Sequence, residues 1–386
     1  MDHLQSSTVG ARSSSHEKAS AVLAFLVIAA FVPGWHAPGL VLRWAVLLIG
    51  LPALVSVRAT ALHWFGFAFL AYAALSLIWT LFPLDGCYEL GVFALLAGGF
   101  CLGSCLNDGG RGIHLVFLAA ALGLAPSLVI GVMQWYGANP VLQLTPNPSG
   151  LFVNANLMGE ASALTICGLI VTAKDWNGPP LKGCGMVALI FSSAALLLSH
   201  HRTSMIALAI AGMTWLIGNR RFALALMISA AAALAFLLDG LKTGHSLFER
   251  LAIWRATASG LTWLGHGAGS FRGLIPLYFL SESEGGLDYA HNDLLQLAFD
   301  YGIVAIVPAA IFAVLALRST SPMRYVLIVF GIQSLAEFPL YMPATGFLAA
   351  LAAGHCSRGW PRCGWRDVLG GTALFGRLSR TQSRQT

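Results

Sequence analysis

The chain has 386 residues, of which 57% are hydrophobic and only 10% charged, with a mean hydropathy of +0.74. Soluble domains carry roughly 25% charged residues, so the composition is that of a polytopic membrane protein and excludes a soluble catalytic domain. The net charge of +6 is not a nucleic-acid signal, because arginines 358, 362, 366, 377, 380 and 384 gather in the tail.

A polar leader, residues 1–19, is expected to be disordered. About twelve apolar runs of roughly membrane-crossing length follow. They are read as spans at 20–33, 39–57, 61–82, 87–105, 113–135, 151–173, 184–199, 203–218, 222–239, 292–317, 324–341 and 343–356. The first runs into "PGWHAPG" and lacks the small-residue site of a cleavable signal. The domain reading is therefore a leader 1–19, a membrane domain 20–356 and a basic tail 357–386.

Orientation follows from the positive charges. With the N-terminus cytosolic, the inner loops hold Arg58, Arg111, Lys174, Lys182, Arg220, Arg221, Arg318 and Arg324. The short outer loops "PLDG", "YGANPVLQLTPNPSG" and "PLYMPAT" contain no lysine or arginine. Both termini are then inside, and a basic tail after the last span is attracted to anionic membrane lipids rather than nucleic acid.

The exceptions mark the outer face as the working one. Arg202 lies there in the turn "SHHRTS", and so does one large loop, 240–291, carrying Lys242, Arg250, Arg255 and Arg272. Within that loop Leu247, Leu251, Trp254 and Ala258 recur at helical spacing, which predicts an amphipathic surface helix. The stretch "GHGAGSF" (265–271) is GxGxG without a preceding strand, so it reads as a turn and not as a dinucleotide fingerprint.

Polar residues cluster toward the same face. His291 taken alone is an ordinary interfacial histidine; Asn292 can cap the next helix, and Asp293 suits its positive end. Those roles leave Asp300 unexplained, two turns into a span where a carboxylate is costly. Asn156 and Glu160 share a helical face, with Asn154 at its boundary, and Glu337 lies near the outer end of the eleventh span. Each of these has an alternative reading as a buried helix-to-helix hydrogen bond. A shared polar site at the outer interface explains all of them together.

The arginines indicate its ligand. Arg202, Arg250 and Arg255 either snorkel to lipid headgroups or grip an anion; a guanidinium pairs with phosphate oxygens through a planar fork and keeps its charge. An anionic, lipid-linked diphosphate fits. Seven cysteines show no disulfide spacing. His355, Cys356 and Cys363 lack a CxxC and make a weak metal set, so no metal and no cofactor is expected.

The run "AHNDLLQLAFDYGIVAI" resembles the signature of the O-antigen ligase and polymerase superfamily of bacterial membrane glycosyltransferases. There a histidine followed by Asn or Ser closes a large periplasmic loop, and an acidic residue stands two before a glycine; here these are His291, Asn292, Asp300 and Gly302. Aspartate replaces the commoner glutamate at 300. "GLFVNANLMGEASAL", "SHHRTSMIALA", "FERLAIWRATASGLTWLGHGAGSF" and "AEFPLYMPATGFLAAL" resemble further family segments in the same order.

The resemblance implies an all-helical polytopic bundle of the GT-C type, in a bacterial inner membrane, with its active site facing the periplasm. It implies an undecaprenyl-diphosphate-linked glycan donor and a glycan or lipid A core acceptor. Arg202 and Arg250 or Arg255 would hold the diphosphate, and His291 would activate the acceptor hydroxyl with Asp293 or Asp300 orienting it. Ligation to core and polymerisation of repeat units remain open, with ligation slightly preferred, and protein glycosylation is the least favoured of the three. A transporter or flippase is the reading from another class, disfavoured by the single large loop and the absence of two related halves.

Overall fold

A computed structural model describes residues 60–106, 111–138, 147–152, 154–173, 176, 178–218, 245–279 and 287–358. The leader, the spans expected at 20–33, 39–57 and 222–239, and the tail beyond residue 358 lie outside the described residues. Among the described residues the chain is all-helical.

In chain order the helices are α1 (Ala61–Ser76), α2 (Pro83–Cys105), α3 (Arg111–Trp135), α4 (Ala155–Val171), α5 (Pro179–Ser199) and α6 (Arg202–Gly218). The loop contributes α7 (His245–Ser259) and the single turn α8 (Phe271–Leu274). Then come α9 (Asp293–Tyr301), α10 (Ile303–Leu317), α11 (Arg324–Ser334) and α12 (Pro343–Ser357). Their starts follow local chemistry. Asn154 and Asn292 accept hydrogen bonds from Asn156 and Leu295 backbone N–H groups, capping α4 and α9. Prolines begin α2, α5 and α12, where a missing N–H costs nothing.

Three of these, over Pro83–Cys105, Gly112–Trp135 and Pro179–Ser199, are long and apolar enough to cross a membrane. α1, α4, α6, α10 and α11 are shorter apolar helices. Leu122, Val129, Ile190, Leu197, Val307 and Val314 project outward from the bundle. A contiguous apolar exterior of this kind suits hydrocarbon and not water. Inside, Phe117, Leu124, Leu164, Leu169, Val329 and Leu348 build one core from α3, α4, α11 and α12. α2 and α12 run parallel in close contact: Gly103 lies against Leu351 and Gly354 against the Phe100 backbone, leaving no room for a Cβ at either glycine.

Three expected spans change shape. The run 61–82 is helical only to Ser76. The run 292–317 is two helices, broken at Gly302, whose φ of 80° belongs to the left-handed region. The run 324–341 stops as a helix at Ser334, so Glu337 stands in the turn between α11 and α12. Asp300 consequently ends a nine-residue helix instead of sitting two turns down a long one.

The loop helix forms where expected but presents another face. Leu251 and Ala258 are exposed and Trp254 half-buried, while Ile253, Ala256 and Thr257 point inward. Ala256 packs with Phe271, Ile275, Ala290 and Phe299, so α7 rests on α9 and the loop's own return segment. That return is the glycine stretch. Gly265, Gly267 and Gly269 all have positive φ, and the segment is laced to both neighbours. His266 and Gly267 N–H groups donate to the Phe299 and Asp300 carbonyls at 3.0 and 2.8 Å. Thr80 Oγ1 donates to the Ala268 carbonyl at 2.8 Å, and the Ala268 N–H donates to Ser76 Oγ at 3.1 Å. It is a docking turn, as its sequence indicates.

Candidate active site

The turn between α11 and α12 is pinned from α9. Asn292 Nδ2 donates to the Leu335 carbonyl at 3.0 Å, and the Leu340 N–H donates to Asp293 Oδ2 at 3.1 Å. This grip places Glu337, completely buried, at the meeting point of four elements. Its Oε1 accepts from Arg250 Nη2 of α7 at 2.6 Å, from His201 Nε2 of the α5–α6 turn at 3.1 Å and from Asn156 Nδ2 of α4 at 3.4 Å. Its Oε2 accepts from His291 Nδ1 at 3.2 Å. Arg250 is locked further by donating through Nη1 to the Ala336 carbonyl at 2.8 Å.

Burial raises the proton affinity of the Glu337 carboxyl, but the hydrogen bonds from His201 and His291 and the charge of Arg250 outweigh it. The carboxyl is held well below the ordinary carboxylate range. An ionised carboxylate only accepts hydrogen bonds, which fixes both imidazoles. His201 must carry hydrogen on Nε2 and His291 on Nδ1. Neutral His291 therefore presents a lone pair at Nε2, and this ring is 27% exposed where Glu337 is 0%. A carboxylate orienting an imidazole with one free nitrogen is the arrangement of a general base.

His200 and His291 both adopt left-handed backbone conformations, φ 52° and 50°, uncommon outside glycine. The first turns His200 out to stack on Trp135 and lets His201 face inward. The second is held by Trp254 Nε1, which donates to the His291 carbonyl at 3.1 Å. Phe338 packs edge-on against the His291 ring, with Tyr289 stacked on Phe338.

The expected residues thus divide. His291, Arg250, Asn156 and Glu337 come together. Arg202 begins α6 beside His201 and is half-buried, and Arg255 is exposed on α7. Asn154 and Asn292 are helix caps, Asn292 also gripping the Glu337 turn. Asp293 holds that same turn and Asp300 Oδ1 accepts the Phe271 N–H at 2.8 Å, so neither orients His291; Glu337 takes that role. Asp300 has a second acid near it in buried Glu89, which accepts from the Gly269 N–H. Glu160 is buried within α4, facing the cluster.

The sequence alone does not distinguish His201, although it directly precedes Arg202 in the turn "SHHRTS". Its Nδ1 meets Ser204 Oγ at 2.7 Å, and Gln333 Nε2 donates to that same hydroxyl at 2.8 Å. Glu160, His201 and Glu337 each offer a ligand atom within 4.8 Å of the others and, among the described residues, form a set that could hold a metal ion. Arg250 already lies 2.6 Å from Glu337 Oε1, which opposes a second cation there. His355 and Cys356 lie at the other end of the bundle, and Cys363 is outside the described residues.

Below Asp293 an apolar crevice of about 390 Å³ runs between α1, α2, α10 and α12 toward His63, lined by Phe69, Phe93, Leu297, Phe312 and Phe330 among others.

No curated protein matches the chain. Residues 187–310 match the family model described as O-Antigen ligase. That segment holds His201, Arg202, Arg250 and His291, and in it the chain resembles the O-antigen ligase and polymerase superfamily of membrane proteins.

Proposed function

We propose that the protein is an O-antigen ligase-like glycosyltransferase. It transfers a glycan from an undecaprenyl-diphosphate carrier to an acceptor hydroxyl, a lipid A core sugar, at the periplasmic face of a bacterial inner membrane. The observation that carries this reading is the convergence of His201, Arg250 and His291 on one buried carboxylate, all three from the matched segment.

In the reaction, the acceptor oxygen forms a bond to the anomeric carbon as the carbon–oxygen bond to the diphosphate breaks. His291 Nε2 accepts the hydroxyl proton, a contribution of roughly 10²- to 10⁴-fold. Negative charge grows on the departing diphosphate. Its stabilisation is assigned to Arg202, which directly follows His201, and to Arg255, exposed on the helix that carries Arg250, so that no metal is called for. Glu337 steadies the imidazolium that forms. The apolar crevice beneath the cluster suits an isoprenoid chain, which supports a lipid-linked donor.

The alternative within the same chemistry is a polymerase that joins lipid-linked repeat units, for which the acceptor is another glycan. Complementation of a strain lacking its own copy, with surface polysaccharide resolved on a gel, tests both. Ladders on lipid A core that vanish in His291→Ala and Arg202→Ala support ligation. Reduction to single-repeat bands supports polymerisation. Full activity of both variants overturns the site.

A further inference from the structure

Glu160 is the group the mechanism above leaves unused. It lies on α4 with 0% exposure, and neither carboxylate oxygen has a hydrogen-bond partner among the described residues. One of its oxygens is within 4.8 Å of a ligand atom of His201 and of Glu337. The other charged or titratable groups facing it are Arg250 from α7 and Asp293 from α9, with His291 across Glu337.

Hydrogen-bond donation decides the charge of each neighbour. Gln333 Nε2 donates both to the Glu160 backbone carbonyl, at 3.4 Å, and to Ser204 Oγ, at 2.8 Å, and a carbonyl can only accept, so the amide orientation is set. Ser204 Oγ accepts there and lies 2.7 Å from His201 Nδ1, so the site satisfies His201 as a neutral imidazole that accepts at Nδ1 and donates from Nε2 to Glu337. Glu337 and Arg250 cancel one another. An ionised Glu160 would be a second anion beside Glu337, out of water and with no donor of its own, which is the costliest state for a carboxyl group.

Resting on the proposed reaction, we infer that Glu160 is held as a neutral carboxylic acid and is a positioning residue. By staying uncharged it leaves Arg250 to Glu337 alone, and so leaves Glu337 Oε2 to orient His291 as a base. Ionised, it would compete for Arg250 and repel an anionic donor. The same charge count disfavours a metal among Glu160, His201 and Glu337.

The test has two arms on the full-length protein in lipid nanodiscs. In infrared spectra, wild type minus Glu160→Gln shows the carbonyl band of a protonated carboxyl group with weak hydrogen bonding. Absence of that band overturns the inference, and a pH titration of the wild-type band decides the matter should the variant fail to fold. In the second arm, glycan transfer is followed against pH. Glu160→Gln keeps its neutral-pH rate within about threefold and moves the alkaline limb up by at least one pH unit, a tenfold gain there. Superimposed limbs overturn the positioning role, as does loss of activity on chelation with recovery on adding Mn²⁺. If His291→Ala and Arg250→Ala stay active, the proposed reaction has failed, and the infrared arm still decides the state of Glu160.

Discussion

The two ends of the helical bundle both bury histidines, and they use them differently. At the end remote from the loop, His63 lies against Thr60 and Ser104, His114 against Thr172 and Trp176, and His355 against Ser321. These partners are hydroxyls and an indole, neutral groups that tie the imidazoles to neighbouring helix ends. At the loop end, His201 and His291 meet a carboxylate that also binds a guanidinium. A buried histidine is thus read by its partner. Neutral partners mean a structural hydrogen bond, whereas an ionised one fixes a tautomer and prepares proton transfer.

The sharpest way to break this contrast is Glu337→Ala. Arg250 and both histidines lose their common acceptor, and removing one member of a buried pair costs about 3–5 kcal/mol. Transfer activity is abolished and the unfolding temperature in detergent falls; a stable, active variant would mean that the cluster is incidental.

Next in size is His291→Ala, expected to lower transfer by roughly 10²- to 10⁴-fold while changing the melting temperature little. Arg250→Lys keeps charge but not the fork that spans Glu337 and the Ala336 carbonyl. It is expected to slow transfer about 10²-fold, more than Arg255→Lys on the exposed side of α7.

At the remote end, His114→Ala leaves rates unchanged. It loses about 1 kcal/mol of stability for its hydrogen bonds, read by thermal melts. A large rate effect there would erase the distinction between the ends.

The smallest effect is on acid tolerance. The Glu337 carboxyl is depressed from an ordinary value of 4.5. Its contribution to stability is therefore fully present above that value and is lost progressively as pH falls below it toward the lower native one. Stability should fall as pH is lowered from 6 to 4, more steeply than for a carboxyl whose native and unfolded proton affinities are equal, and Glu337→Gln should remove that part of the slope.

Much of the framework is visible in one dimension because it rests on local chemistry. Asn154 and Asn292 cap the helices that follow them, and the apolar runs become helices α1 to α6 and α10 to α12. The glycine turn at 265–271 reads correctly as a turn. Other features escape a local reading. Gly302 follows Asp300 by two places in a run that reads as one span, and the break there shows only in three dimensions, where the Ile303 and Val304 N–H groups donate to the Thr262 and Trp263 carbonyls. Asp293 and Asp300 share a helix with no more than a turn or two between them and His291, yet both face other partners.

What the sequence determines by itself is an apolar helical bundle of membrane-protein character with a polar, arginine-bearing loop, since lipid imposes long apolar runs. What only the tertiary structure decides is which acid serves which base. Glu337 meets His201 across 136 positions, Arg250 across 87 and His291 across 46. Helical periodicity relates a residue to neighbours three or four places away. A hydrogen bond between turns of different helices depends on how those helices pack, and that is settled only when the whole bundle closes around its buried charge.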